Sequence, residues 1–107
     1  MHAIKKPKYR YNVADVNSAA EGNWLSIFSH FAGDSLGDSV NKVGKKVHCP
    51  IHTGKSGQAF RLFKDADYTG NGICNSCGPF NGGYSLLMEV LNQPFKDVLY
   101  SVADYLG

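Results

Sequence analysis

Two short cysteine motifs limit what this chain can fold into more than any other feature. Cys49-Pro-Ile-His52 is followed, after 21 residues, by Cys74-Asn-Ser-Cys77. Each half is a two-residue knuckle, a turn tight enough for two side chains to converge on one ion, and Zn²⁺ takes tetrahedral Cys/His ligands in such pairs at about 2.0–2.3 Å. Gly54 and Gly78 follow the knuckles, where the backbone must turn away from the metal. Three thiolates and one imidazole fill a tetrahedron and leave no position for an activated water. The expectation is one structural Zn²⁺ held by Cys49, His52, Cys74 and Cys77, and a zinc hydrolase is disfavoured. His48 is a rival ligand. In a strand it points to the face opposite Cys49, and it breaks the match between the knuckles, which favours His52. Three cysteines cannot all pair internally, and in a reducing compartment short cysteine spacing reads as metal ligation more often than as disulfide.

An ion is also what a chain of this size needs. With 107 residues and 43% apolar content it is expected to form a single domain, residues 17–107, with the ribbon at about 45–78. Structural zinc contributes on the order of 10 kcal/mol to a small fold, and few aliphatic residues lie between Lys45 and Cys77. Twelve Gly against four Pro, with thirteen aromatic residues, argue against a disordered tail. No stretch approaches the roughly 18 apolar residues of a membrane helix, so no membrane partner is expected. Met1 to Arg10 is Lys-rich and lacks the apolar core of a signal peptide, which reads as cytoplasmic. Residues 1–16 are set apart as a basic N-terminal arm.

Hydrophobic spacing gives an α+β class: an antiparallel zinc-ribbon sheet flanked by an N-terminal helix and two C-terminal helices. Ser18-Ala-Ala-Glu21 has the form of a capping box, and Trp24, Ile27, Phe28 and Phe31 follow at i, i+3, i+4, i+7, one apolar stripe on a helix that Gly33 ends. One further helical turn is expected around Leu36 to Val40. Short strands are expected near 45–48, 58–64 and 71–74, with the hairpin turn in Asp67-Tyr-Thr-Gly70-Asn-Gly72. Tyr84 to Leu91 reads as a helix, and after Pro94 the residues Phe95, Val98, Leu99, Val102 and Leu106 mark another.

Charge is divided unevenly. Residues 1–64 carry ten Lys/Arg against four carboxylates, whereas residues 65–107 carry one Lys against five, so the first part is the one that faces a polyanion. Between Lys42 and Lys64 lie Lys42, Lys45, Lys46, Lys55, Arg61 and Lys64 and no carboxylate. A solvated lysine face is the plain alternative. Within that run, strand alternation in Gln58-Ala-Phe-Arg-Leu-Phe-Lys64 puts Phe60 and Leu62 on one face and Ala59, Arg61 and Phe63 on the other. A guanidinium and an aromatic ring at i, i+2 suit stacking on a base beside a phosphate contact, as on single-strand binding surfaces. The plainer reading packs Phe63 beneath a helix with the Arg61 stem across it. Lys45, Lys46, Lys55 and Lys64 are the expected phosphate contacts, and Arg61 with Phe63 the expected base contacts. Trp24 lies on the helical stripe and is read as core.

Trp24-Leu-Ser-Ile, Cys49-Pro-Ile-His52, Phe60-Arg61, Gly70, Cys74-Asn-Ser-Cys77-Gly78, Gly82-Gly83-Tyr84-Ser-Leu-Leu-Met88 and Val102-Ala-Asp-Tyr-Leu-Gly107 together resemble the zinc-binding domain of prokaryotic DNA primases, in particular the phage-and-plasmid, TOPRIM-class type. The resemblance runs over about residues 22–107. It implies a zinc ribbon placed N-terminal to a primase catalytic domain, binding single-stranded template DNA and helping to select where primers start during DNA replication. The partners it implies are template DNA and the catalytic domain or other replication proteins. Two positions depart from the family, which often has a basic residue where this chain has Ala59 and an aromatic where it has Gly72. The alternative is a protein-interaction module that docks a polymerase or helicase without touching DNA. Primer synthesis needs metal-holding carboxylates. The only acidic pair close in sequence, Asp65 and Asp67, falls in the hairpin turn, so no catalytic centre is expected on these residues.

Overall fold

The computed structural model describes residues 13–51, 58–74 and 77–106. They form helices α1 (Val13–Ala20) and α2 (Trp24–Asn41), strands β1 (Val47–His48) and β2 (Gln58–Leu62), a one-turn helix α3 (Ala66–Thr69), strands β3 (Gly72–Cys74) and β4 (Gly78–Phe80), and helices α4 (Gly83–Leu91) and α5 (Phe95–Leu106). The strands make one antiparallel sheet in chain order, β1-β2-β3-β4, with Phe60 opposite Cys74 and Ile73 opposite Pro79. The α+β class and the antiparallel ribbon are therefore as the spacing predicts, with α1, α3 and β4 in addition.

The stripe on α2 is buried at Trp24, Ile27 and Phe28, and the helix breaks one residue before the expected stop at Gly33. Ala32 leaves the helical region (φ −141°, ψ 37°) and the helix then resumes to Asn41, burying Leu36 and Ser39. Gly33 makes the break inexpensive, while Ala32 and Leu36 prolong the apolar stripe, and burying that stripe keeps the chain helical beyond the kink. The turn expected near Leu36 is thus the second arm of one kinked helix.

The capping box does not form, because Ser18 lies inside α1. That helix starts at Val13, within the stretch 1–16, and buries Val16 and Ala20, packing against α5. Asn23 precedes α2, but its side-chain amide donates back to the Ala19 carbonyl at 2.9 Å instead of capping. The cap comes from far along the chain. Asp67 Oδ1 accepts the Leu25 N–H at 3.1 Å, and the Asp67 carbonyl accepts the Gly22 N–H at 2.9 Å.

The expected hairpin turn is the single helical turn α3, closed by Gly70 in the left-handed region at φ +77°. Gly70 faces the backbone of Gly83, so that a Cβ on Gly70 would overlap Gly83, and a Cβ on Gly83 would overlap the Trp24 ring. Only glycines allow α3, α4 and α2 to meet this closely. Helix α4 ends at Asn92, left-handed at φ 55°, with its N–H on the Met88 carbonyl, and Pro94 leads into α5. Val98, Leu99 and Val102 of α5 are buried as their spacing predicts, while Phe95 sits exposed at the helix start.

One apolar cluster joins the layers. The inner sheet face supplies Phe60, Leu62 and Phe80 to a cluster that also holds Phe28 of α2, Leu86 and Leu87 of α4 and Val98 and Val102 of α5. Full burial of each such side chain is worth about 1.5–3 kcal/mol. Among the described residues no helix is long and apolar enough to cross a membrane.

Candidate metal centre and ribbon surface

The sheet brings Cys49 of the first knuckle to the two cysteines of the second. Cys49 follows β1, Cys74 ends β3, and Cys77 sits in the turn between β3 and β4. Gly78 then takes φ +96°, the backbone release expected after the second knuckle, whereas Gly54 lies outside the described residues. The sulfurs of Cys49, Cys74 and Cys77 all lie within 4.8 Å of one another. Cys49 and Cys77 Sγ are 3.9 Å apart. Two sulfurs held at about 2.3 Å by one tetrahedral ion stand about 3.8 Å apart, whereas a disulfide needs about 2.05 Å. The cluster therefore has the size of a metal site. The Ile51 N–H donates to Cys49 Sγ at 3.4 Å, which orients the sulfur at the start of the first knuckle.

Electrostatics agree with that size. Without a cation the Cys77 thiol is pushed up to about 12, first by desolvation, then by its contacts with Cys74 and Cys49. Cys77 is itself exposed, so the crowding of three sulfurs is the part of this shift that the geometry carries. A divalent cation reverses the logic, since a coordinating thiol is deprotonated outright. His52, the fourth expected ligand, lies outside the described residues. His48 is exposed on β1 and is not part of the sulfur cluster.

Phe60 and Leu62 point inward with no exposure, while Arg61 and Phe63 stand half-buried on the outer side. The Arg61 guanidinium lies 5.2 Å from the centre of the Phe63 ring. The strand register extends this pair into a row the sequence reading did not single out, with Ile73 opposite Arg61 and Pro79 opposite Ile73. Only strand pairing reveals it, because the three residues come from separate segments. The Gly44 N–H donates to the Leu62 carbonyl at 2.9 Å, which brings the exposed Lys45 and Lys46 to the end of β2 that carries Phe63 and the exposed Lys64. Lys55 lies outside the described residues.

Gly72 has a structural reason. It is buried between Leu62 and Phe80, and a Cβ there would stand 3.1 Å from the Phe60 ring and from the Arg61 carbonyl. An aromatic residue at this register faces the core. Asp65 and Asp67 do not converge on a site: Asp67 caps α2, and the Asp65 carbonyl accepts from the Thr69 hydroxyl.

Residues 44–83, which span both knuckles, all four strands and the turn into α4, match the family described as the zinc-binding domain of primase-helicase. Over these residues the ribbon is similar to a primase-type zinc domain. No curated protein and no solved structure matches the chain. The primase-type match and the three-sulfur cluster agree on zinc as the metal.

Proposed function

We propose that the chain is the template-reading part of a DNA primase, binding single-stranded DNA on the outer face of the ribbon and helping to select the site at which primers begin. The observation that carries this reading is the Arg61–Phe63 pair, stacked and turned away from the core, beside Lys45, Lys46 and Lys64 in a primase-type ribbon. A guanidinium over a ring offers a stacking plane and a base-edge donor together. The lysines, with Lys55, supply phosphate contacts that fix register without reading sequence. One zinc, held by Cys49, His52, Cys74 and Cys77, keeps the strands paired. Its ligand set is closed, so the metal supports the surface and takes no part in polymerisation. Chemistry belongs to a catalytic partner of the TOPRIM class, in a phage- or plasmid-encoded replication system working in the cytoplasm of a prokaryote.

Titration of a panel of short single strands at two salt concentrations tests this. Affinity should fall with a log–log slope of about −0.7 per phosphate contact. Lys45→Ala and Lys46→Ala should weaken all sequences alike and make that slope shallower. Arg61→Ala should instead flatten the preference among template triplets, since a base-edge guanidinium discriminates by about 1–3 kcal/mol. A uniform loss in Arg61→Ala reduces it to a phosphate contact. No change in any variant transfers the role to a module that docks a polymerase or helicase.

A further inference from the structure

Away from the ribbon, a pocket of about 320 Å³ opens between the end of α1, the start of α2, α3 and the turn into α4. That is at the small end of the range for small-molecule sites. None of the residues proposed to touch template or metal lines it. Its inner wall is Trp24, only 4% exposed, with Tyr84 edge to face against it at 5.0 Å. Tyr68 lines the pocket from α3 at 59% exposure, the highest of the exposed large hydrophobic side chains described. Tyr105, by contrast, stacks on His30 and hydrogen-bonds Ser26. The Tyr68 ring has no such contact among the described residues and presents a free face.

The walls are held in place. Gly70 and Gly83 approach too closely to admit a side chain on either, which fixes α3 against the start of α4 and against Trp24. Polar residues complete the lining: Asn17, Asn81 and Glu21, all exposed. Among the described residues no lysine or arginine lines the pocket. A phosphate or carboxylate ligand therefore finds no counter-charge there and meets Glu21. A cationic side chain suits the rings and Glu21 but leaves the amide donors idle. An uncharged planar ring with mixed donors and acceptors uses every group. Rings stack on its faces, side-chain amides read an edge in pairs, and a carboxylate accepts from an exocyclic amino group.

We propose that this pocket binds a nucleobase bearing an exocyclic amino group, adenine or cytosine, stacked on Tyr68 and held at its edge by Asn17, Asn81 and Glu21. The site is separate from the ribbon surface and does not depend on template binding there.

Trp24 is the only tryptophan of the chain and forms the pocket wall, so its indole N–H resonance and its emission report occupancy directly. The intact, zinc-loaded chain is titrated with adenosine, cytidine and uridine. Adenosine or cytidine should shift the Trp24 signals saturably, with uridine about tenfold weaker. Tyr68→Ala, at an exposed position, should weaken binding by about tenfold, since loss of stacking on one ring costs that much. Glu21→Gln should bring uridine level with the amino-bearing nucleosides. Arg61→Ala should leave these titrations unchanged whatever it does to single-strand binding, which keeps the two readings separable. The proposal is overturned if neither adenosine nor cytidine saturates the signal, if Tyr68→Ala binds like the parent, or if lysine amide saturates the pocket in preference to the nucleosides.

Discussion

Replacing Asp67 tests the long-range cap on α2, because this one side chain links α3 to a helix start more than forty residues earlier in the chain. Its Oδ1 accepts the Leu25 N–H at 3.1 Å, while Asn23, at the position where a capping residue normally sits, contributes nothing. Loss of a side-chain cap costs about 1 kcal/mol, within a range of about 0.5–2. The carboxylate also faces the positive end of the helix dipole, but Asp67 is exposed, which holds that part near the lower limit of about 0.3 kcal/mol. Asp67→Ala should therefore lose about 1–1.5 kcal/mol. In a domain of about 100 residues that lowers Tm by about 5–10 °C. Asp67→Asn keeps an acceptor and loses only the charge, so it should lose about 0.3 kcal/mol. Asp65→Ala is the control: its carboxylate stands 3.5 Å from the Thr69 hydroxyl, too long to matter, and the change should stay within about 0.5 kcal/mol. Thermal unfolding at fixed free zinc measures all three, since bound metal shifts Tm by mass action. If Asp67→Ala melts with the parent, or if Asp67→Asn falls as far as Asp67→Ala, the cap is not what holds the start of α2.

The remaining predictions concern the metal and one buried hydroxyl. Cys74→Ser should lose bound zinc while His48→Ala retains it, measured by elemental analysis after dialysis; metal loss in His48→Ala moves the imidazole ligand from His52 to His48. Chelation should abolish hydrogen-exchange protection in β2 and β3 before it touches α4 and α5, because the helices keep Phe28, Leu87, Val98 and Val102 packed without an ion. Equal loss in both layers contradicts that order. The buried Tyr84 hydroxyl has no hydrogen-bond partner among the described residues, and burial raises its pKa from 10.0 to about 12. The neutral phenol is thus favoured in the fold. Stability from this group is complete below about pH 10, where the unfolded residue is also neutral, and is lost as pH rises toward 12. Tyr84→Phe should be neutral or stabilising at pH 7 and should flatten the alkaline limb of the stability curve, provided the hydroxyl is idle.

What the sequence made legible is what repeats at short range. Two knuckles of the same spacing announce a sulfur cluster without any knowledge of the chain between them, and the stripe from Trp24 to Phe28 announces one buried helix face. The alternation in β2 likewise separates Phe60 and Leu62 from Arg61. The misreadings have a common cause. Ser18 to Glu21 satisfies the local pattern of a helix start, but the N–H groups at the start of α2 find Asp67 across the fold, and a partner 42 residues away leaves no trace in local spacing. The stop signal at Gly33 is met by the break at Ala32, and the burial of Leu36 carries a second helical arm beyond it. The row Arg61, Ile73, Pro79 and the pocket under Tyr68 likewise exist only once separate segments are paired.

The same distinction explains why, among the described residues, no helix covers the outer face of the ribbon. A four-strand sheet this small has residues to fill only one side: Phe60, Leu62 and Phe80 take the helices, and Gly72 is the size the inner register leaves. Helices on the second face would require another apolar set, and the outward positions carry Arg61, Ile73 and Pro79 instead. With the sulfur cluster gathering β1, β3 and the turn into β4 from one end, the strands do not need a second layer to stay paired. No described helix covers the outer face, and the exposed lysines at the end of β2 give it a positive border.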